Sequence, residues 1–161
     1  MKTLSGREEK EAMKFIDETV LIAIRSKCER KKCGSIIVMD GKIIGSGFNG
    51  PPGNLESQRR CSCPKDSYHK KVSDKSCCVH AEQRAIMNAL KNYPEKIIGS
   101  RLYFVRLDNK SNKIPSGNPW CTICSKMALD SGVKEFVLWH EEGIAVYDTE
   151  EYNKLSYEYN G

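Results

Sequence analysis

Hydrophobic positions along this chain alternate between helical and strand periods. Early in the sequence Ala12, Ile16 and Ala23 recur at the spacing of one helix face. The β-branched run GSIIVMD precedes Asp40-Gly41, a pair typical of a hairpin turn. The pattern predicts a helix over 8–29, strands over 34–40 and 42–47, a helix over 80–91, a strand over 101–107, a helix over 121–132, strands over 133–139 and 143–148, and a weak helix or tail after them. This alternation predicts a mixed α/β sandwich.

One long segment, 48–78, shows neither period. It contains prolines, glycines, basic residues and four cysteines. Loops of this length are usually functional or held in place by something. Since no linker or internal repeat divides the chain, we expect one domain over 1–161 with a cysteine-rich insert at about 48–78.

Composition and charge narrow the function classes only slightly. The net charge of +5 suits a phosphorylated small molecule or a nucleic acid, although many ordinary enzymes carry as much. No apolar run approaches the roughly 20 residues of a membrane helix, and the first residues have no apolar signal-peptide core. We therefore expect a cytoplasmic protein with no membrane partner.

The eight cysteines change the picture. Without a signal peptide they favour metal ligation or catalysis over disulfides. Cys121 and Cys124 open the same predicted helix, where the helix dipole lowers the pKa of thiols and suits a metal. Alone, such a pair is equally typical of a redox couple or of half a structural zinc site.

His80 and Glu82 open another predicted helix and decide between these interpretations. One histidine and two cysteines leave the fourth tetrahedral position of zinc for water, as in catalytic sites. A carboxylate beside that water can take and return protons. The pattern H-x-E…P-C-x-x-C is the signature of zinc-dependent nucleobase deaminases. The alternative, a closed structural zinc using another cysteine, leaves Glu82 without a role.

A second motif, Gly45-Ser-Gly47-Phe-Asn-Gly50, matches the dinucleotide-binding fingerprint. That fingerprint needs a helix that begins at the glycines and holds a pyrophosphate. Here Pro51 and Pro52 follow and discourage such a helix. We therefore do not expect a dinucleotide site.

With its two metal motifs the chain resembles the cytidine deaminase superfamily, and the deoxycytidylate deaminases most of all, from about residue 15 to residue 139. Residues 25–54 resemble the family's opening helix, hairpin and asparagine-glycine-proline loop. CVHAEQRAI resembles its histidine-alanine-glutamate helix, and CTICSKMALDSGVKEFVL resembles its second metal helix and following strand. The resemblance implies a three-layer sandwich with a mixed five-stranded sheet flanked by helices, and a homo-oligomer.

The resemblance also implies the site. His80, Cys121 and Cys124 would hold Zn²⁺, Glu82 would be the catalytic proton shuttle, and Asn49 would hold the sugar or phosphate of a nucleotide. The implied reaction is the hydrolytic deamination of a cytosine-type nucleotide, dCMP to dUMP with release of ammonia.

Two further residues are candidate contacts of the ring. The backbone N–H of Ala81 would meet its polar edge. The indole of Trp120 would stack on it, although a core position for Trp120 is the equal alternative.

Three other functions stay open. The first is a deaminase of another amino-substituted ring, such as a nucleoside, a purine or a pterin. The second is a deaminase of a base in tRNA or single-stranded nucleic acid. The third is an inactive binding or regulatory protein that keeps the fold.

The departures from the family pattern lie near the substrate end of the site. Trp120 stands between the expected proline and Cys121, segment 108–118 is a polar insertion, and Arg84 replaces an asparagine found in many relatives. The tail after residue 139 matches nothing in the deoxycytidylate enzymes. These departures bear on the substrate rather than on the chemistry.

The remaining cysteines suggest a second metal. Several deoxycytidylate deaminases carry an additional zinc that pins the long loop onto the first helix. By that resemblance the candidate ligands are Cys28, Cys61, Cys63 and Cys77, with Cys78 and His69 as substitutes. A closed site would offset the closure entropy of the loop. The alternative is a set of reduced, partly buried thiols.

Basic residues offer a phosphate site. Arg25 or Arg30, near the FNGPPG loop, would neutralise a 5′-phosphate, and a solvated charged face is the alternative. Aromatic residues are not interleaved with the basic ones, as a single-strand stacking platform requires. We therefore expect a free nucleotide rather than a polynucleotide.

Overall fold

Two hydrophobic clusters, one on each face of a central sheet, organise the fold. The computed structural model describes residues 1–161. In chain order the elements are β1 (Lys2–Thr3), α1 (Gly6–Ile24), β2 (Lys32–Met39), β3 (Lys42–Phe48), α2 (Ala81–Asn92), β4 (Arg101–Leu107), β5 (Lys113–Ile114), α3 (Thr122–Ser131), β6 (Glu135–His140), β7 (Gly143–Asp148) and α4 (Thr149–Tyr157). No helix is both long and apolar enough to cross a membrane.

The sheet is mixed and β4 lies at its centre. The strand order is β1-β7-β6-β4-β2-β3, with β5 paired to β4 outside this path. Strands β4 and β6 are parallel, and the other pairs are antiparallel. On one side β4 pairs with β6 only as far as Phe104, and β5 then pairs with Arg106 and Leu107. The end of β4 is therefore enclosed by the inserted segment 108–118, which contains β5.

The helices form the two outer layers. From α1, Ile16 and Ala23 pack with Ile36 and Val105 on one face of the sheet. Helices α2 and α3 cover the other face, where Ile86 and Ala128 belong to one cluster with Phe136, and α4 adds Tyr152 there. The predicted three-layer α/β sandwich is confirmed. The predicted strand count is too low, because β1 and β5, of two residues each, also join the sheet.

Most element boundaries fall within two residues of the prediction, and the larger differences are at the end of α1 and in the tail. Helix α1 ends at Ile24 rather than at residue 29, since Ser26 turns away and its Oγ donates to Asn49 Oδ1 at 2.6 Å. The tail after residue 148 is a real helix, α4, and the Asp148 side chain accepts from the Glu150 N–H at its start. Segment 48–78 contains only three short 3-10 turns, as expected of a loop.

Two of the three glycines of the rejected dinucleotide motif, Gly45 and Gly47, have a packing role. They lie on β3 directly beneath α2, where a Cβ on Gly45 would be 2.5 Å from the Ala85 carbonyl oxygen and one on Gly47 would be 2.6 Å from that of Ala81. Only glycine allows the helix backbone to lie this close to the strand. The start of α2 is fixed by this contact.

Replacing Gly47 with alanine tests the close packing. The added Cβ would also lie 2.6 Å from the Ala85 backbone nitrogen, so the helix must move away. We expect Gly47→Ala to lower the free energy of unfolding by about 1–3 kcal/mol, measured by urea denaturation. Lys42→Ala, at an exposed site on the same strand, is the control and should change it by less than about 0.5 kcal/mol. Equal stability of the two variants would contradict the close approach.

Candidate active site

The first side of the site is the start of α2. His80 precedes the helix as its N-cap residue, and its backbone N–H donates to Gln83 Oε1 at 3.0 Å. The neighbouring Val79 exchanges two backbone hydrogen bonds with Gly50, at 2.9 and 3.3 Å. The backbone at His80 is therefore fixed by the FNGPPG loop on its N-terminal side and by the start of α2 on its C-terminal side.

The second side is the start of α3. Cys121 is the N-cap residue, and its sulfur accepts from the Cys124 N–H at 3.4 Å. Cys124 lies in the first turn and is fully buried. Both thiols therefore lie at the positive end of one helix dipole, which favours thiolates.

The structure brings these two helix starts together. His80 Nδ1 lies 3.2 Å from Cys121 Sγ and 3.2 Å from Cys124 Sγ. The three ligand atoms all lie within 4.8 Å of one another. The hydrogen bond from Cys124 lowers the pKa of Cys121 to about 5, and the hydrogen bond to Cys121 raises the pKa of His80 to about 9. One imidazole and two thiols, converging and free of disulfides, fit zinc.

Glu82 lies next to this group, in the first turn of α2. It is only 5% exposed. Burial, and next the negative charge on Cys121, raise the pKa of its carboxyl to about 7. A carboxyl with this pKa can both hold and release a proton near neutrality, as general acid–base chemistry requires.

A cavity of about 200 Å³ is lined by His80 and Glu82. Ala81 also lines it, and Phe104 and Trp120 contribute flat apolar side chains to its walls. Trp120 is 44% exposed, which excludes the core position that the sequence left open. An aromatic ring therefore fits between apolar surfaces with a proton-transferring carboxyl beside it.

Asn49 also lines the cavity, but its side chain is largely engaged within the protein. Its Oδ1 accepts from Ser26 Oγ at 2.6 Å and from the Cys33 N–H at 2.8 Å, and its Nδ2 donates to the Lys31 carbonyl at 3.0 Å. These contacts join the end of α1, the start of β2 and the FNGPPG loop. One amide proton of Nδ2 remains for a ligand.

The two arginines expected at the phosphate do not lie together. Arg30 lines the cavity, and its Nη2 donates to the Cys61 carbonyl at 3.0 Å. Arg25 lies outside the cavity with its guanidinium over the ring of Phe48, 5.0 Å from the centroid.

A second group of cysteines lines the same cavity. The sulfurs of Cys61, Cys77 and Cys78 are all within 4.8 Å of one another. Cys28 is hydrogen-bonded to Cys78 and so lies beside this group. That hydrogen bond lowers the pKa of the Cys28 thiol to about 5. Cys63 lies outside this group and contacts Tyr68 instead.

His69 is also outside the group, and its Nδ1 accepts from the Lys71 N–H. The structure thus groups three of the four expected cysteines, with Cys78 in place of Cys63.

Two arginines were missed as site residues by the sequence. Arg106, at the end of β4, lines the cavity. Arg84 donates from Nη1 to Phe48 O and Asn54 Oδ1 and from Nη2 to Pro51 O, and so ties the FNGPPG loop to α2. The only sequence signal for Arg84 was its departure from the family pattern.

The chain belongs to the family described as the cytidine and deoxycytidylate deaminase zinc-binding region, whose model matches residues 9–140. It is similar to the deoxycytidylate deaminase of Mycobacterium phage D29, with 29% identity over 76% of this chain and 89% of that protein. It is also similar to the deoxycytidylate deaminase of Saccharomyces cerevisiae, with 32% identity over 76% of this chain but only 35% of the yeast protein.

Solved structures give the same picture. The dCMP deaminase of cyanophage S-TIM5, in complex with dCMP and dUMP, has a TM-score of 0.55 at 29% identity, covering 83% of this chain and 82% of that one. The cytidine deaminase of Burkholderia pseudomallei has a TM-score of 0.57 at 17% identity, covering 87% of this chain and 94% of that one. The second likeness supports the fold alone.

Removal of one ligand tests the metal centre. We expect Cys121→Ser to lose the zinc of this site and to melt at a lower temperature, because a bound metal stabilises the folded state. Zinc per chain is measured by plasma mass spectrometry after dialysis, beside Ser131→Ala at the far end of α3 as control. An unchanged zinc content in Cys121→Ser would contradict the assignment.

Proposed function

We propose that this chain is a zinc-dependent hydrolase that converts dCMP to dUMP with release of ammonia. One observation carries the proposal: the buried Glu82 carboxyl lies in the wall of a ring-sized cavity beside the convergent His80, Cys121 and Cys124. The choice of dCMP is supported by the deoxycytidylate deaminases to which the chain is similar. A protein that merely kept the fold would have no use for that carboxyl.

His80, Cys121 and Cys124 would hold the catalytic zinc. When bound, the zinc supplies a water molecule whose pKa is lowered towards about 7, and with it a nucleophile near neutral pH. The three side chains satisfy the usual ligand count of a catalytic zinc, in which one position stays open.

Glu82 moves the protons. It takes one proton from the water and gives it to ring N3 as the water oxygen bonds to C4. It then carries the second proton to the amino group, the C4–N bond breaks and ammonia leaves. The two water protons thus end on N3 and on ammonia, and the carboxylate is regenerated. A carboxyl whose pKa is near the working pH serves both directions of transfer.

The cavity walls orient the ring. Phe104 and Trp120 offer apolar faces for stacking. Ala81 is the first residue of α2, where backbone N–H groups have no intrahelical partner and can donate to the polar edge of the base. Asn49 contributes its remaining amide proton towards the sugar.

The domain organisation and assembly belong to the same proposal. The chain acts as one domain over 1–161, as a homo-oligomer in the cytoplasm. Exposed apolar side chains on neighbouring β3 and α2 support an oligomer interface, namely Ile43, Met87 and Leu90.

A second, structural zinc would be held by Cys28, Cys61, Cys77 and Cys78. Two contacts support thiolates there: the Arg60 N–H donates to Cys77 Sγ at 3.0 Å, and Arg59 Nη1 lies 3.6 Å from Cys61 Sγ. Donors of this kind stabilise a metal-bound sulfur. The closed four-cysteine set would fix the insert to the end of α1.

The proton role of Glu82 gives a direct test. We expect Glu82→Gln to reduce the rate of ammonia release from dCMP by about a hundredfold to ten-thousandfold, while the zinc content stays unchanged. Glu95→Gln, on an exposed turn, is the matched control and should keep full activity. Full activity in Glu82→Gln would remove the proposed mechanism. Inactivity of the native protein towards dCMP would redirect the search to another amino-substituted ring.

The second metal has an internal control in Cys63. We expect the native protein to bind two zinc ions per chain and Cys78→Ser to bind one, because Cys78 lies in the sulfur group and Cys63 does not. Cys63→Ser should keep both. Retention of two ions by Cys78→Ser, or their loss in Cys63→Ser, would favour the ligand set expected from the family resemblance.

A further inference from the structure

The cavity that contains Glu82 is also lined by cations that have no carboxylate partner. The cations that line it are Arg30, Lys31, Lys65 and Arg106, whereas Glu82 is its only carboxylate. None of these four cations forms an ion pair with a carboxylate. The thiolates of the second cysteine group would be offset in part by the zinc that they hold, so the lining stays cationic and attracts an anionic ligand.

Arg106 differs from the other three because it belongs to the sheet. It lies two residues after Phe104 on β4, so both side chains leave the same face of the sheet. Phe104 is one of the apolar walls of the cavity. In the register of β2 and β4, Arg106 lies opposite Cys33, whose N–H donates to Asn49 Oδ1. Arg106 and the cavity-lining Phe104 are therefore both fixed by the same strand of the sheet.

Segment 108–118 holds the Arg106 side chain. Nε and Nη2 both donate to the Pro115 carbonyl, at 3.3 and 2.8 Å. Gly117, with φ +81°, lies beside the guanidinium, so an added Cβ would be in ordinary contact with Nη2 at 3.5 Å. Strand β5 in the same segment pairs with Arg106 itself. The insertion thus folds back onto the end of β4 and fixes one edge of the guanidinium.

The other edge of the guanidinium stays available. An arginine has five N–H donors, and the Pro115 carbonyl uses one from Nε and one from Nη2. The remaining N–H groups on Nη1 and Nη2 form the paired fork that matches two oxygens of a phosphate. Such a fork, positioned beforehand and without a carboxylate partner, is suited to an anion.

We propose that Arg106 binds the phosphate group of the nucleotide and that segment 108–118 is the device that orients it. This inference rests on the proposed function, because it assigns the phosphate end of the same substrate. Of the two arginines that the sequence offered for the phosphate, Arg25 lies outside the cavity, and Arg30 lines it with Nη2 donating to the Cys61 carbonyl. Arg106 is a further cavity residue that the sequence did not offer. The inference also gives the insertion a role in substrate specificity.

The test compares ligands that differ only in the phosphate. Binding of dUMP and of deoxyuridine is measured by isothermal titration calorimetry to the zinc-loaded native protein, R106Q and the control K110Q. Lys110 is an exposed cation of the same segment and lies outside the cavity. We expect R106Q to weaken dUMP binding by about tenfold to a hundredfold and to leave deoxyuridine binding unchanged. K110Q should match the native protein for both ligands.

A second variant separates recognition from folding. R106K keeps the charge but loses the fork, so it should recover part of the dUMP affinity lost in R106Q. The inference is overturned if R106Q weakens the binding of dUMP and deoxyuridine equally, or does not weaken dUMP binding at all. It is also overturned if the native protein binds dUMP no more tightly than deoxyuridine. Ammonia release is followed separately. If the native protein releases ammonia from dCMP but R106Q binds dUMP as tightly as the native protein, only this inference is overturned. If R106Q weakens dUMP binding but the native protein releases no ammonia, only the proposed reaction is overturned.

Discussion

The contact between α2 and β3 is the constraint on which the rest of the site depends. Gly45 and Gly47 let the helix backbone lie against the strand at a distance that any side chain would prevent. This contact sets the distance between the first turn of α2 and the sheet. It therefore also sets the positions of His80 and Glu82, which lie at the start of that helix. The parallel pair β4–β6, with α3 crossing between its strands, brings Cys121 and Cys124 to the same place. Two helix starts that are 41 residues apart thus share one metal centre.

In the proposed mechanism the residues that line the cavity divide between chemistry and recognition. The chemistry belongs to the two helix starts, where burial raises the pKa of Glu82 to about 7, a value suited to proton exchange. Recognition of the substrate belongs to the four cations that line the same cavity as the second cysteine group. A structural zinc there would hold the insert and the end of α1 in fixed positions, and would therefore shape the substrate end without touching the reacting atoms.

The sequence predicted the elements that carry a period or a spaced motif. The strands of the core, α2, α3 and the grouping of His80 with Cys121 and Cys124 follow from periodicity, helix starts and the C-x-x-C spacing. Strands β1 and β5 were missed because two residues show no period. Segment 48–78 has no regular structure, so nothing in its spacing distinguishes Cys63 from Cys78 as a member of the sulfur group.

Arg106 was missed for a related physical reason. RLYFVRL is recognisable as a strand, but which of its residues faces a cavity depends on where β6 stops and β5 begins. That is a property of tertiary pairing between distant segments. The same holds for Arg25, which lies at the FNGPPG loop as expected, with its guanidinium over Phe48, but outside the cavity.

The most direct test of the central claim is mass spectrometry of the product formed from dCMP in water labelled with heavy oxygen. A hydrolytic deaminase places one water oxygen on C4, so we predict dUMP that carries a single heavy oxygen atom, with one ammonia released for each dUMP. Recovery of unchanged dCMP from zinc-loaded protein, or of dUMP without the label, would contradict the account.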